Sequence, residues 1–371
     1  MRTLTCLTAV AIFVLAALTT TVAQNSLDAR PLRVAVVGLE HGHVAGFFAN
    51  AATRNDVQIV GIADQDQQLA KRYADEYKLD PQLFYIDADR MLTTVHPDAV
   101  LVYTDTLSHR PAVELAARHR LPVMMEKPLA VSVEDALAIK RAADEAHIPV
   151  LVNYETTWYA SNAATYQLVN NGALGEIRKV VIHDGHEGPK EIGVPPEFLD
   201  WLTDPRRNGA GALFDFGCYG ADLMTWLMHG KAPLTVTAVT QQFKPQIYAN
   251  VDDEATVILT YPKAQAILQA SWNWPFGRKD MQVYGAIGQA ITVGSDKLRV
   301  RRKGEAEEHT ETAPALVAPN NDSISYLRAV ISGRIQPSGL SALDTNITVV
   351  RILAAAGESA KNGKTIRLTD R

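Results

Sequence analysis

The feature that most constrains the fold is a regular alternation of strand and helix patterns between Leu32 and Asn153. Short runs rich in valine and isoleucine are separated by stretches with helical periodicity. Strands that alternate with helices of this length pair in parallel through right-handed crossovers. The pattern predicts an α/β fold whose first domain, residues 32–152, is a doubly wound parallel sheet. The predicted strands are Arg33–Gly38, Val57–Ala63, Phe84–Ile86, Ala99–Tyr103, Val123–Met125 and Pro149–Asn153.

After Asn153 the rhythm changes, which predicts a second α/β domain over residues 153–371. A helix near Trp158–Asn170 leads into several strand patterns, of which Glu254–Tyr261 alternates between apolar and polar residues. Alternation of this kind is typical of strands with one buried face, so we expect a mostly antiparallel open sheet. The basic run Arg299–Lys303 is interpreted as a solvated hairpin edge.

The first 23 residues have the pattern of a secretory signal peptide, with residues 24–31 as a linker. Arg2 precedes the apolar run Leu7–Leu18, and small residues at Thr21–Ala23 suit cleavage. The apolar run is too short to span a bilayer, so we expect an exported protein, periplasmic or secreted, without a membrane anchor after cleavage. One cysteine, Cys218, then remains, and the fold must rest on its core. The net charge of −5 argues against a nucleic-acid partner.

Glu126, Lys127 and Pro128 follow the fifth predicted strand directly. In open α/β sheets ligands bind beyond the carboxyl ends of the strands, so this pair of charges is placed where chemistry would occur. Pro128 forces the chain out of the sheet and can hold a cis bond that fixes the direction of the ammonium group. The alternative is a solvated charge pair at a strand end.

The turn after the first strand is where the pyrophosphate of a dinucleotide would lie, although it departs from the glycine-rich pattern. Gly38 can make the tight turn, but Glu40 stands where a second glycine is usual, and His43 replaces the third. His43 can still donate to a phosphate, as can backbone N–H groups at the helix start. Asp64 ends the second strand and can hold ribose hydroxyls, or it is a turn residue. Because no arginine follows Asp64 directly, NAD is favoured over NADP.

Three segments together resemble the Gfo/Idh/MocA family, named after glucose–fructose oxidoreductase, inositol dehydrogenase and a rhizopine-catabolism protein. They are Glu126–Pro128, Thr104–His109 (with Asp105 in place of a proline) and Gly209–Tyr219. The resemblance implies a Rossmann domain that binds NAD, a small-molecule carbohydrate substrate, and a homo-oligomer formed through the C-terminal sheet. Together with this resemblance, the residue pattern predicts nucleotide binding by Gly38, Glu40, His41, His43, Asp64, Thr104, His109, Glu126 and Lys127.

Oxidising a secondary alcohol requires a base for the hydroxyl proton, and Lys127, Asp215 and Tyr219 can supply the necessary set. A lysine ammonium next to a tyrosine would lower the pKa of the phenol, which predicts Tyr219 as the acid/base. Lys127 would then polarise and orient the substrate, and Asp215 would anchor it. The division of roles between Lys127 and Tyr219 stays open at this point, because coupled groups share a titration. The alternatives are that Asp215 caps the following helix and that Tyr219 is a core aromatic.

His186 and Trp158 are further candidates for substrate contact, together with Asp215. His186 lies in an unusually polar run beside a strand, and Trp158 can stack on a sugar ring. No spacing of histidine, cysteine and carboxylate residues indicates a metal site.

The leading hypothesis is an NAD(P)-dependent oxidoreductase acting on a CH–OH group of a sugar, polyol or glycoside. Since free NAD is scarce outside the cytoplasm, an exported enzyme should hold its nucleotide tightly and recycle it. One alternative is an NAD-dependent glycoside hydrolase that acts through transient oxidation. Another is a non-catalytic sugar-binding module whose nucleotide loop, altered at Glu40 and His43, has lost its function.

Overall fold

The computed structural model of the protein describes residues 30–368, and its first domain is built on a parallel sheet. The strands are β1 (Leu32–Val37), β2 (Val57–Ala63), β3 (Phe84–Tyr85), β4 (Ala99–Val102), β5 (Val123–Glu126) and β6 (Val150–Asn153). Their order is β3-β2-β1-β4-β5-β6, and every neighbouring pair is parallel. All residues of β4 and β5 are buried, as expected for a sheet covered on both faces. The predicted doubly wound sheet is confirmed.

The helices of the first domain cover the two faces of this sheet. They are α1 (His43–Ala51), α2 (Gln67–Tyr77), α3 (Ala88–Val95), α4 (His109–Arg118) and α5 (Val133–Ala146). Asp66, Asp87 and Ser132 cap α2, α3 and α5 by accepting backbone N–H groups of the first turn. In contrast, α1 begins after Gly42 without a side-chain cap. Its first N–H groups are instead paired locally, that of His43 with His41 Nδ1 at 3.3 Å and that of Val44 with the His41 carbonyl at 3.0 Å.

The second domain contains a nine-stranded sheet. Its strands are β7 (Ile177–Gly185), β8 (Thr235–Gln241), β9 (Glu254–Thr260), β10 (Gln265–Ser271), β11 (Arg278–Gly285), β12 (Gly288–Val293), β13 (Lys297–Arg302), β14 (His309–Thr312) and β15 (Ile366–Arg367). Their order is β14-β13-β12-β11-β7-β10-β9-β8-β15. Neighbours are antiparallel except for β7 and β10. The prediction of a mostly antiparallel sheet is therefore confirmed.

The sequence suggested that the basic run Arg299–Lys303 is a hairpin edge, but the structure does not place it at the edge of the sheet. Most of it belongs to β13, which pairs with β12 on one side and β14 on the other. Leu298 and Val300 are buried on one face of the strand, and Arg299 and Arg301 project from the other face. The many charges of β13 made its alternating burial hard to recognise in the sequence. Its neighbour β14 gave no further indication, because this short strand has no apolar pattern of its own.

Seven α-helices and two short 3-10 helices, Glu155–Trp158 and Gly339–Ser341, complete the described part of the second domain. The α-helices are α6 (Ala160–Asn170), α7 (Pro196–Leu202), α8 (Pro205–Asn208), α9 (Ala212–Asp215), α10 (Gly217–Leu227), α11 (Ser323–Ile331) and α12 (Leu343–Asn362). α10 and α12 share a core with the second sheet. α11, by contrast, packs with the first domain, where Leu327 lies in one cluster with Leu32 and Val34. The chain therefore returns to its first domain near its end.

The predicted signal peptide, residues 1–23, lies outside the described residues, as does nearly all of the predicted linker over residues 24–31. Within residues 30–368 no helix has both the length and the apolar character required to cross a membrane.

Candidate active site

Lys127 lies at the carboxyl end of β5 and points towards the second domain. The Lys127–Pro128 peptide bond is cis. The Lys127 side chain is only 4% exposed, so it is not the solvated strand-end charge that the sequence left as an alternative. A buried ammonium group requires a partner, because the protein interior cannot solvate an isolated charge.

The partner of Lys127 is Asp215 of the second domain, at the end of α9. The ammonium donates to Asp215 Oδ1 at 2.5 Å and to the Asp215 carbonyl oxygen at 3.0 Å. The other carboxylate oxygen accepts a hydrogen bond from Trp272 Nε1 at 2.9 Å. Asp215 is also 4% exposed and does not cap α10, since the residue before that helix is Phe216, which makes no side-chain cap. The pair therefore joins the two domains at the mouth of the parallel sheet.

Each charge of this pair stabilises the other. Burial alone would lower the pKa of Lys127, but the charge of Asp215 and the hydrogen bond to it, aided by Cys218 and Glu126, raise it above its usual value. Burial alone would raise the pKa of Asp215, but Lys127, with smaller contributions from His186 and Trp272, holds it below its usual value. Both groups are therefore charged at neutral pH, and Lys127 carries a proton that it can donate.

Tyr219 does not have the properties predicted for the acid/base. Its side chain is 1% exposed, and burial, followed by the negative charges of nearby groups, raises the pKa of the phenol well above its usual value. The ammonium of Lys127 lies 5.2 Å from the ring centroid and that of Lys279 lies 4.9 Å from it, which are cation–π contacts. Among the described residues the phenol oxygen has no hydrogen-bond partner. The prediction that Lys127 lowers the pKa of Tyr219 is therefore wrong.

A cavity of about 310 Å³ opens beside the Lys127–Asp215 pair. Its lining includes Tyr219, His186, His43 and Lys279. The structure thus brings Lys127, Asp215 and Tyr219 into one site, as the sequence predicted. Trp158 does not line this cavity. It lines an adjoining groove beside α1 that shares Gly42 and His43 with the cavity, and it donates to Asn153 Oδ1 at 3.0 Å.

His186 faces the cavity as a hydrogen-bond donor. Its Nδ1 accepts the backbone N–H of Gly188 at 2.9 Å, and its ring packs edge-on against Phe216. Burial lowers the pKa of His186, an effect that Asp215 opposes and Lys127 reinforces, so the ring is neutral at neutral pH. With Nδ1 occupied as an acceptor, the proton of the neutral ring lies on Nε2.

The loop after β1 makes the tight turn that the sequence predicted. Gly38 has a φ of +85°, and a Cβ atom there would lie 2.5 Å from Thr104 Cγ2. Asp64 fixes the loop by accepting the N–H of Leu39 and that of Asp66, each at 2.8 Å. Asp64 is thus a turn-forming residue, which does not exclude a ribose contact, because each carboxylate oxygen can accept more than one hydrogen bond.

The carboxylate of Glu40, which breaks the glycine pattern, is neutralised by Arg207 from α8. Arg207 donates to Glu40 Oε2 at 2.7 Å and also bonds to Asp105, the residue that replaces the expected proline. Its backbone carbonyl accepts the N–H of Leu107 at 3.0 Å. Arg207 of the second domain therefore neutralises Glu40 and Asp105, the two residues at which the first domain departs from the expected pattern. Sequence reasoning missed Arg207, because it lies more than 100 residues away in a helix of four residues.

Three of the predicted nucleotide-binding side chains are buried beneath the loop rather than presented on it. His41 and His109 are fully buried, and Glu126 is almost so. His109 Nδ1 lies 3.0 Å from the Pro128 carbonyl and supports the turn that carries Lys127. Glu126 accepts hydrogen bonds from His43 Nδ1 at 2.9 Å and from Asn153 at 3.0 Å. These residues therefore support the Lys127 turn and the loop after β1 from the interior of the protein.

His41, His43 and Glu126 also form a cluster whose possible ligand atoms lie within 4.8 Å of one another. The sequence did not indicate it, because Glu126 is distant along the chain. Each oxygen of Glu126 already has a protein partner, and His41 Nδ1 accepts the N–H of His43 at 3.3 Å. Only His41 Nε2 of these groups is buried without a hydrogen-bond partner. Because both oxygens of Glu126 and the Nδ1 atoms of the two histidines are already paired, we assign no metal to the cluster.

The loop retains features that fit a nicotinamide dinucleotide. Within the described residues the backbone N–H groups of Glu40 and Gly42 have no hydrogen-bond partner, and α1 presents the positive end of its dipole at the same place. The second domain packs on this loop, since Trp201 donates to the Glu40 carbonyl at 3.2 Å and Phe198 contacts Gly42.

Comparisons with known proteins agree with this architecture. Residues 32–154 match the oxidoreductase family with an NAD-binding Rossmann fold, and residues 163–291 match the GFO/IDH/MocA C-terminal domain. D-Apiose dehydrogenase of Rhizobium rhizogenes is 26% identical over 351 residues, covering 86% of this chain and 94% of that protein. The scyllo-inositol 2-dehydrogenase (NADP⁺) of Bacillus subtilis is 25% identical, covering 73% and 84%.

Solved structures show the same fold. The aldose–aldose oxidoreductase of Caulobacter crescentus superposes with a TM-score of 0.77 at 24% identity, covering 91% of this chain and all of that one. An inositol dehydrogenase homologue of Azotobacter vinelandii, complexed with NAD⁺, gives a TM-score of 0.77 at 19% identity, covering 92% and 98%. The two family models together span more than half of the sequence. The chain therefore belongs to the GFO/IDH/MocA oxidoreductase family.

Proposed function

We propose that this protein transfers hydride between NAD and a CH–OH carbon of a sugar, polyol or glycoside. The observation that carries the proposal is the buried Lys127–Asp215 pair, which faces a cavity at the carboxyl end of β5. The nicotinamide, when bound, supplies the hydride acceptor or donor. The dehydrogenases among the relatives support this reaction class.

The chemistry of the chain's own groups centres on Lys127. In carbonyl reduction its ammonium donates a proton to the substrate oxygen. In alcohol oxidation the ammonium must first release its proton to solvent, and the resulting amine then receives the hydroxyl proton. Asp215 keeps the nitrogen in place and stabilises its charged form. His186 donates a second hydrogen bond to the substrate from Nε2. Lys127 thus takes the acid/base role that the sequence had assigned to Tyr219.

The choice of NAD over NADP rests on charge. Asp64 lies at the end of β2, and the nearby Arg72 is already paired with Glu197. A 2′-phosphate at this position would meet carboxylates without an unpaired arginine among the described residues of the loop, whereas ribose hydroxyls can donate to Asp64. Because Arg207 neutralises Glu40, the charge of this residue no longer favours a non-catalytic module with a defective loop.

We further propose that the protein is exported to the periplasm or secreted, and that it holds its nucleotide tightly. The sequence of residues 1–23 supports export, and the packing of α7 and Arg207 on the loop supports slow nucleotide release. A homo-oligomer through the nine-stranded sheet is proposed from the family resemblance. Two exposed valines of that sheet, Val239 and Val293, are in keeping with such a contact. Light scattering of the purified protein tests the oligomer.

The decisive experiment is to denature the purified protein and identify any released nucleotide by mass spectrometry. We expect NAD, and we expect a panel of sugars, polyols and glycosides to change the 340 nm absorbance of the loaded protein. Release of aglycone without an external acceptor would instead identify glycosidic cleavage. If the protein neither contains a nucleotide nor binds added NAD or NADP, the proposed function is wrong.

A further inference from the structure

The cavity beside Lys127 has one polar wall and one apolar wall, and we propose that its substrate is a glycoside with an apolar aglycone rather than a free sugar or polyol. This inference rests on the proposed function and specifies the substrate of the same site. It follows from the distribution of side chains around the 310 Å³ cavity. The polar wall consists of His43, Lys127, His186, Asp215, Tyr219 and Lys279, with one aromatic ring, that of Phe216, packed between His186 and Lys127. The apolar wall consists of Pro189, Ile192, Val194, Pro195, Phe198 and Leu202.

The apolar wall comes from one stretch of chain, residues 189–202, which joins β7 to α7. Backbone hydrogen bonds shape it, with the N–H of Val194 donating to the Pro189 carbonyl at 3.1 Å. Glu191 anchors the stretch to the second domain through Lys244, at 2.7 Å, and through Tyr248. The wall is therefore held in place before any ligand arrives.

A free sugar or polyol fits these two walls poorly. Its hydroxyl groups are spread around the whole molecule, so binding would press some of them against aliphatic and aromatic carbon. A hydroxyl that loses water without gaining a hydrogen bond is destabilised. A glycoside divides its chemistry as the cavity does, because the sugar ring can face Lys127, His186 and Asp215 while the aglycone covers the carbon wall.

Ile192 marks where the aglycone would emerge. It is 48% exposed, unlike Phe198 and Leu202, which are buried deeper along the same wall. An exposed isoleucine at the rim of a ligand cavity is apolar surface that a bound aglycone would remove from water. The affinity of the protein for a glycoside should therefore increase with the apolar area of the substituent on the sugar.

The test compares methyl, butyl and phenyl glucopyranosides, in both anomeric forms, with glucose on the nucleotide-loaded protein. Adding apolar carbon to a ligand in such a pocket raises kcat/KM by about tenfold or more per well-packed group. We expect at least a tenfold higher kcat/KM for the phenyl than for the methyl glucoside of one anomer. Equal values for both anomers, or a preference for free glucose, would overturn the inference while leaving the oxidoreductase proposal intact.

Substitutions locate the effect. Ile192→Thr and Val194→Thr should each reduce the phenyl-to-methyl ratio by threefold or more. Ile287→Thr is the matched control, since Ile287 is 43% exposed in the turn between β11 and β12, and it should leave the ratio unchanged. A ratio that does not move in either wall variant contradicts the proposed placement of the aglycone.

Binding provides a readout that does not depend on turnover. Calorimetry on the nucleotide-loaded protein should give a dissociation constant for the phenyl glucoside at least tenfold below that for the methyl glucoside. If the loaded protein oxidises none of the glucosides but shows this difference, the aglycone wall stands and the proposed reaction fails. If the phenyl glucoside does not bind, the wall has been misread.

Discussion

The Lys127–Asp215 centre and the loop after β1 are both held by a charge from the opposite domain, but the two differ in burial. Lys127 and Asp215 are almost inaccessible, whereas Arg207 and Glu40 are each about one-third exposed at their side chains. In the first region the ion pair holds the ammonium proton where little solvent reaches it, at the wall of the cavity. In the second region the ion pair neutralises a carboxylate that would repel phosphate. Burial thus separates the pair that we propose to be catalytic from the compensating one.

The difference predicts unequal costs for removing one partner. A buried charge left without its partner is strongly destabilised, while a partly exposed one is relieved by water. Variants of the two pairs should therefore differ in what they lose: activity in the first case and nucleotide affinity in the second.

Asp215→Asn should have the largest effect, lowering kcat by about 10²–10⁴-fold, the range that positioned acid/base groups contribute. The amide cannot stabilise the Lys127 ammonium by charge. The pKa of Lys127 therefore falls, and the ammonium group is no longer held in position to transfer its proton. Stopped-flow absorbance at 340 nm measures the loss. Asp344→Asn, a substitution of an exposed aspartate, is the control. Nucleotide content should be unchanged, and full activity in Asp215→Asn would refute the role of the pair.

Arg207→Gln should weaken nucleotide binding by about tenfold with a smaller effect on kcat, because it leaves Glu40 and Asp105 unneutralised near the phosphates. Fluorescence titration of nucleotide-free protein gives the dissociation constant. Arg206→Gln removes the neighbouring, exposed arginine and should change nothing. Combining Arg207→Gln with Glu40→Gln and Asp105→Asn should restore affinity. Without that rescue, charge is not the reason for the loss.

Tyr219→Phe should lower kcat by less than tenfold. The ring keeps its contacts with the ammonium groups of Lys127 and Lys279, and the phenol, whose pKa is raised, does not act as the base. Steady-state kinetics against pH is the measurement. A loss of 10² or more, together with loss of the alkaline or acid limb of the profile, would return the acid/base role to Tyr219.

Substitution of His41 should have the smallest effect, a change in how the free energy of unfolding depends on pH. Burial lowers the pKa of His41 well below its usual value of about 6.5, so the folded protein keeps it neutral while the unfolded chain binds a proton. The free energy of unfolding must then fall as the pH drops below about 6.5, by up to about 1.4 kcal/mol per pH unit from this group.

His41→Gln should remove that part of the slope, measured as denaturation midpoints at pH 7.5 and pH 5.5. His309→Gln, at an exposed position on β14, should retain the slope. An unchanged slope in His41→Gln would mean that this histidine does not remain neutral in the folded protein.

Local chemistry made much of the fold predictable. Alternating periodicities gave the parallel sheet and most of the second sheet, since each pattern follows from which faces are buried. β13 was harder to predict, because its charged sequence concealed a short strand whose stability comes from its neighbours. Lys127 was identified because a strand end in such a sheet faces a ligand.

The sequence by itself determined the two-sheet architecture, the position of Lys127 and the segment that carries Asp215. Only the tertiary structure decided that Arg207 neutralises both Glu40 and Asp105, that Trp158 lies outside the cavity and that Tyr219 keeps its proton. The physical reason is that periodicity and turn chemistry act over a few residues. The pKa of a buried group and the pairing of charges depend on atoms brought together from residues 100 or more positions apart.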